Sequence, residues 1–173
     1  MPNPIPAEAA SPYRILVTGS RSWTDWVTVW TALEDAIEQA HAQGYARYVV
    51  VHGGAKGADE LAAKFCEDQA GWYSDYGNQT LTEECHPADW GAPCRPTCRH
   101  GYKIRADRTQ YCPTAGVYRN QAMVDLGADL CLAFQVGNSK GTADCIRRAE
   151  KAGIPVRRYQ PLRAALPERT DHA

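Results

Sequence analysis

The chain has 173 residues, with 19 Lys and Arg set against 20 Asp and Glu for a formal net charge of -1. That length fits one domain with a sizeable core. The charge supplies no long-range field for nucleic acid or a membrane surface, and no apolar stretch reaches the length of a membrane span.

The segments 1–12 and 163–173, rich in Pro and Ala or mostly polar, are expected to be loose tails. Between them strands and helices alternate. Arg14 to Thr18 reads as a short buried strand that ends in the turn Gly19-Ser20-Arg21-Ser22. A helix over about 24–43 places Trp26, Trp30, Leu33 and Ile37 on one face, and Gly44 stops it. A strand over 47–52 runs into the glycine turn His52-Gly53-Gly54-Ala55-Lys56-Gly57-Ala58-Asp59. The helix after that turn buries Leu61, Ala62 and Phe65.

A strand near 81–85 crosses an otherwise irregular stretch, 73–115. The pattern then resumes with a helix over 118–126, a strand over 129–134, a second glycine turn at Gly137-Asn138-Ser139-Lys140-Gly141-Thr142, a helix over 142–151 and a last strand over 155–159. This alternation predicts an α/β domain over 13–160: a Rossmann-like, doubly wound parallel sheet in three layers, with a Cys-rich insertion at about 90–114.

Three turns, at Gly19, Gly53 and Gly137, thus follow strand ends and lead into helices. Such corners collect ligands in open α/β sheets, and free amides at a helix start suit a phosphate. The candidate binding set is Gly19, Ser20 and Arg21; Gly53, Gly54, Ala55, Lys56 and Gly57; and Ser139, Gly141 and Thr142. Lys56 precedes the last glycine of its turn, so this is no Walker loop. Arg21 offers a rigid fork of donors to an anion. Arg119, in a first helical turn on the unfavourable side of the dipole, points to an anionic partner, and Asn120 adds a donor and an acceptor. Asp59 either favours its helix dipole or meets a sugar. Trp23 is a candidate for base stacking, and Trp26 and Trp30 are assigned to the core. His52 is either a satisfied structural histidine or an acid at the pocket edge.

The insertion carries Cys94-x3-Cys98-x-His100 and then Cys112, a donor set for structural zinc, with Arg95, Arg99, Lys103, Arg105 and Arg108 as a basic flap. Cys66, Cys131 and Cys145 fall on helices or strands and read as small buried hydrophobes. The start Met1-Pro2-Asn3-Pro4-Ile5-Pro6 has neither the basic segment nor the apolar core of an export signal. With seven cysteines, an odd number, this points to a reducing, cytoplasmic location.

Taken in order, Val17-Thr18-Gly19-Ser20-Arg21, His52 to Asp59, His86-Pro87-Ala88-Asp89-Trp90, Arg119-Asn120-Gln121-Ala122-Met123 and Gly141-Thr142-Ala143-Asp144 resemble the SLOG superfamily. The likeness is to the YspA or YpsA-related SLOG domains of small actinobacterial and phage proteins, and it spans about 13–160. More distantly, the chain is similar to LOG-type phosphoribohydrolases, which cleave the N-glycosidic bond of nucleoside monophosphates. Arg119 and Met123 match that group's Arg-Lys-x-x-Met, with Asn120 in place of the lysine. Gly141 and Thr142 match its Pro-Gly-Gly-x-Gly-Thr-x-x-Glu, but Cys145 stands where the catalytic glutamate would be.

The resemblance implies binding of a nucleotide-derived small molecule, either ADP-ribose-like or NAD-like or a nucleoside monophosphate, with no cofactor required. An N-glycosidase using Asp144 or Asp59 with Arg119 is the enzymatic alternative, and an interaction scaffold with a vestigial pocket is the third. Dimers or larger assemblies of LOG-type relatives imply a homo-oligomer. Some SLOG members bind DNA, but the near-neutral charge argues against a nucleic-acid partner here.

Overall fold

A computed structural model describes residues 11–161. The tails expected at 1–12 and 163–173 therefore lie almost wholly outside the described residues. Strands β1 (Tyr13–Gly19), β2 (Arg47–His52) and β3 (Thr80–Cys85) alternate with helices α1 (Trp26–Ala42) and α2 (Ala58–Gly77). A short hairpin, β4 (Lys103–Ile104) and β5 (Gln110–Tyr111), lies in the insertion. Then follow α3 (Ala115–Asp125), β6 (Leu130–Phe134), α4 (Lys140–Lys151) and β7 (Val156–Tyr159).

The five long strands form one parallel sheet in the order β3-β2-β1-β6-β7. Successive side chains on a strand face opposite sides, and both sides of β1 are buried: Ile15 and Val17 join one core, Leu16 the other. The first core packs α1 and α2 through Leu33, Ile37, Ala62 and Phe65. The second packs α3 and α4 through Met123, Val124, Cys145 and Ala149. This is the expected three-layer, Rossmann-like α/β fold. The chain winds outward from β1 in one direction through β2 and in the other through β6, so the topological switch point lies between the ends of β1 and β6.

The buried stripe of α1 departs from the expectation. Val29, Ala32, Leu33, Ala36, Ile37 and Ala40 face the sheet, whereas Trp26 is 54% exposed and Trp30 only packs against the edge of the core. Three alanines on this face suit close packing, and the element whose backbone comes nearest to α1 is α2. Trp23 is no stacking platform either. It is buried edge-on to Phe134, with its indole N–H donating to the Asp25 carbonyl. Cys66, Cys131 and Cys145 are buried as expected, and burial pushes the Cys66 and Cys145 thiols up to about 12 and about 11.

Candidate functional site

At the switch point a cavity of about 620 Å³ opens over the carboxyl ends of β1 and β6. Thr18 to Ser22 form one side, and Asn138 to Thr142 at the start of α4 form another. Arg119, Asn120 and Met123 of α3 make the floor, and Asp59, Ala55 and Trp90 complete the rim. Gly19, Ser20, Arg21, Ala55, Asp59, Arg119, Asn120, Ser139, Gly141, Thr142 and Asp144 are therefore brought together as the sequence suggests. Gly53, Gly54, Lys56 and Gly57 do not line it.

The first glycine turn is closed from within. The amides of Gly53 and Ala55 both donate to Asp59 Oδ2, at 3.1 and 3.2 Å. The amide of Gly54 donates to His52 Nδ1 at 3.1 Å, which leaves the proton of that ring on Nε2, 2.9 Å from Glu83 Oε1. Donors expected to cradle a phosphate are thus already taken, and both ring nitrogens of His52 have partners. Gly57 has a different task. At φ +83 it lies where a Cβ would come within 2.3 Å of the Ser20 carbonyl oxygen, so glycine lets the α2 corner close against the β1 corner.

Arg119 dominates the floor. Its guanidinium crosses the face of Gly53 so closely that a Cβ there would sit 1.3 Å from Nη1. Nε donates to Asn120 Oδ1 at 3.1 Å, Nη1 donates to the His86 carbonyl at 3.4 Å, and Nη1 is 3.9 Å from Asp59 Oδ2. Asp59 is 4% exposed. Burial raises its pKa above the ordinary value, against the opposing pull of the Ala55 amide, Arg119, His52 and the Gly53 amide.

The second glycine turn is open. The first bond inside α4 runs from the Ala143 amide to the Ser139 carbonyl, so the amides of Lys140, Gly141 and Thr142 have no helical acceptor. Ser139 makes no side-chain cap; its hydroxyl pairs with that of Thr142 at 2.9 Å. These amides, the helix dipole, Lys140 and Arg21 lie around one cavity. Ser20 joins the two sides, its hydroxyl accepting from the Val136 amide at 2.8 Å.

Asp144 lines the same cavity but already holds three donors. Asn120 Nδ2 donates to it at 3.2 Å and Arg148 Nε at 2.8 Å, and Arg147 also bonds it. Burial would raise its pKa, but the donors from Arg148, Asn120 and Arg147 outweigh that and hold the carboxyl below its ordinary value. Cys145 faces the core.

A family model described as "YspA, cpYpsA-related SLOG family" matches residues 13–74, the stretch from β1 almost to the end of α2. The chain is also 46% identical over 143 residues to "Gene 61 protein" of Mycobacterium phage D29, covering 83% of this chain and 93% of that protein. The chain belongs to the YspA, cpYpsA-related SLOG family. Membership points to a nucleotide-related function, and the matched stretch contributes Val17 to Ser22, Ala55 and Asp59 to the cleft, while α3 and α4 lie beyond it.

The insertion of this SLOG chain brings the donor atoms of Cys94, Cys98, His100 and Cys112 within 4.8 Å of one another. Hydrogen bonds from the Tyr118 hydroxyl, at 2.9 Å, and from Thr114 hold the Cys98 thiol down at about 7. The basic flap is partly tied down: the Arg95 guanidinium lies 4.0 Å from the centre of the Tyr118 ring, and Arg105 lies 4.8 Å from that of Tyr111. Among the described residues, no helix is long and apolar enough to cross a membrane.

Trp90, quoted above only as part of the resemblance, lines the cavity although it was not in the candidate binding set. Its ring faces the cavity, with the Arg21 guanidinium 5.9 Å from its centre. Its position at the threshold of a polar, Pro-rich insertion was the available signal, since a tryptophan there has no periodic core face to join. Lys140 was passed over in the same way, although it opens α4 beside the predicted amides.

Proposed function

We propose that the cleft binds a nucleotide-derived small molecule, either ADP-ribose-like or NAD-like or a nucleoside monophosphate, as a sensor or processing domain. The phosphate rests on the amides of Lys140, Gly141 and Thr142, with Arg21 and Lys140 as countercharges. The ribose faces Asp59 and Arg119, and the base lies against Trp90. The observation that carries this is the uncapped start of α4 opening onto a cavity of about 620 Å³ at the switch point. Calorimetric titration with AMP and with ADP-ribose tests it. At least one binds, and Arg119→Ala weakens that binding at least tenfold, about 1.4 kcal/mol; a chain that binds neither compound overturns the proposal.

A hydrolytic reading is favoured by one observation, the burial of the Asp59 carboxyl, 4% exposed, among the residues that line the cavity. A buried carboxyl of that kind suits protonation of a departing base. Asp144 is less suited to be the base, since its lone pairs already receive Asn120, Arg147 and Arg148. Turnover requires free base and ribose phosphate to accumulate from a nucleotide panel and to stop in Asp59→Asn. Cys94, Cys98, His100 and Cys112 are proposed as a structural zinc site, outside the chemistry of the cleft.

A further inference from the structure

We infer that a zinc ion on Cys94, Cys98, His100 and Cys112 builds the outer wall of the cleft, so that metal occupancy sets ligand affinity. The metal site stands on its own geometry, whereas the affinity claim rests on the ligand-binding reading above.

Cys98 Sγ and Cys112 Sγ lie 4.0 Å apart, close to the ~3.8 Å edge of a tetrahedron with zinc–sulfur bonds of ~2.3 Å. His100 Nδ1 is 3.1 Å from the Gly101 carbonyl, which can only accept, so the proton sits on Nδ1 and Nε2 presents its lone pair. A ligating histidine is commonly held this way, with its other nitrogen donating to a carbonyl. Nε2, Cys112 Sγ and Cys98 Sγ converge on the Thr114 hydroxyl at 3.0, 3.2 and 3.6 Å. Three zinc-ligating atoms are thus gathered around one small side chain, and the fourth, Cys94 Sγ, lies within 4.8 Å of them. The outer contacts are also in place: the Tyr118 hydroxyl reaches Cys98 Sγ at 2.9 Å, and the Cys94 amide donates to the Tyr102 hydroxyl at 3.0 Å.

The cluster is joined to the cleft through one short segment. The Cys112 amide donates to the Trp90 carbonyl at 3.3 Å, and its carbonyl accepts from the Ala115 amide at 3.1 Å. Tyr111 packs edge-on to Trp90, with ring centres 6.2 Å apart. Immediately after Cys112, Pro113, Gly116 and Val117 line the cavity beside Trp90. Thr114, at the N-cap position of α3, makes no side-chain cap because its hydroxyl faces the cluster. This wall has no sizeable apolar core of its own. Among its described residues Tyr102 and Ile104 are exposed, so cross-linking by metal takes the place of packing.

Elemental mass spectrometry on the full chain should find one zinc per chain in wild type and in the Cys85→Ser control, and less in Cys94→Ser and Cys98→Ser. Zinc should change tryptophan emission in wild type and leave the emission of Trp90→Phe unchanged. Stripping the metal, with circular dichroism confirming that the fold persists, should weaken whichever of AMP and ADP-ribose binds at least tenfold, and added zinc should restore it. Where stripping unfolds the chain, Cys94→Ser replaces it, and affinity should track its fractional zinc content. A chain without stoichiometric zinc, or a Cys98–Cys112 disulfide in the intact mass, overturns the site. Unchanged affinity and unchanged Trp90 emission on metal removal overturn the coupling. If neither compound binds zinc-loaded protein, the affinity claim falls with the ligand reading, and the Trp90 signal still decides whether metal builds the wall.

Discussion

The corners at Gly53 and Gly137 look alike as strings of residues and do opposite work. In the first, Asp59 and His52 consume the amides of Gly53, Gly54 and Ala55, and Gly57 exists for a close contact with Ser20. In the second, the amides that open α4 have no helical acceptor and face the cavity. A glycine-rich turn is therefore informative about ligand binding only once the carboxylates within a few residues of it have been counted. A carboxylate two residues past the last glycine can occupy the place an anion would take.

One substitution made in both corners should separate them. Gly57→Ala forces a Cβ into a positive-φ position 2.3 Å from the Ser20 carbonyl oxygen, and should cost about 3 kcal/mol of unfolding free energy by urea titration. An unchanged midpoint would mean that the two corners are not packed as described. The Asp59 carboxyl should give the next largest effect. Its native pKa is raised, so the native state holds this proton more tightly than the unfolded chain does. The stabilisation is complete below the ordinary carboxyl value, about 3.9, and is lost as pH rises through the native value. Asp59→Asn keeps an acceptor for the two amides and should remove that slope, read as the difference between wild-type and variant stability across acidic pH. A variant as pH-dependent as wild type would place the titration elsewhere. Gly141→Ala should be the mildest change and of opposite sign. Its Cβ meets nothing within 4 Å, and alanine favours the helix by ~0.5–1 kcal/mol. The methyl would nonetheless stand on the ligand side, so weaker AMP or ADP-ribose binding with equal or greater stability is the expected pair of results.

The layered fold was legible because apolar runs such as Tyr48-Val49-Val50-Val51 and Leu130 to Phe134 alternate with longer amphipathic segments, and a strand buried on both faces leaves that signature. Legible too were the corners at Gly19 and Ser139, the Arg119–Asn120 pair and the spacing of Cys94, Cys98, His100 and Cys112. What failed did so for identifiable reasons. Of the stripe expected on α1, Leu33 and Ile37 are buried and Trp30 packs against Phe65, while Trp26 stands exposed one turn before it and alanines fill the rest of the buried face. The capture of the Gly53 and Ala55 amides depends on where the Asp59 side chain turns back, which spacing alone leaves open. The clamp on Asp144 could have been anticipated, because Arg147 and Arg148 stand three and four residues further along one helix. Trp90 carried no periodicity at all, and only the approach of α3 and β1 gives it a role.

The central strand β1 completes its hydrogen bonding only when β6 arrives from the far end of the chain: the Arg14 amide meets Asp129, 115 residues away. Distant pairing of this kind makes assembly slow and cooperative. A nascent chain that has emerged only as far as α2 holds the stretch the family model matches, yet has only two of the five strands of its sheet and neither α3 nor α4. The cleft therefore closes only late in synthesis, since the side built by α3 and the start of α4 comes from the second half of the chain.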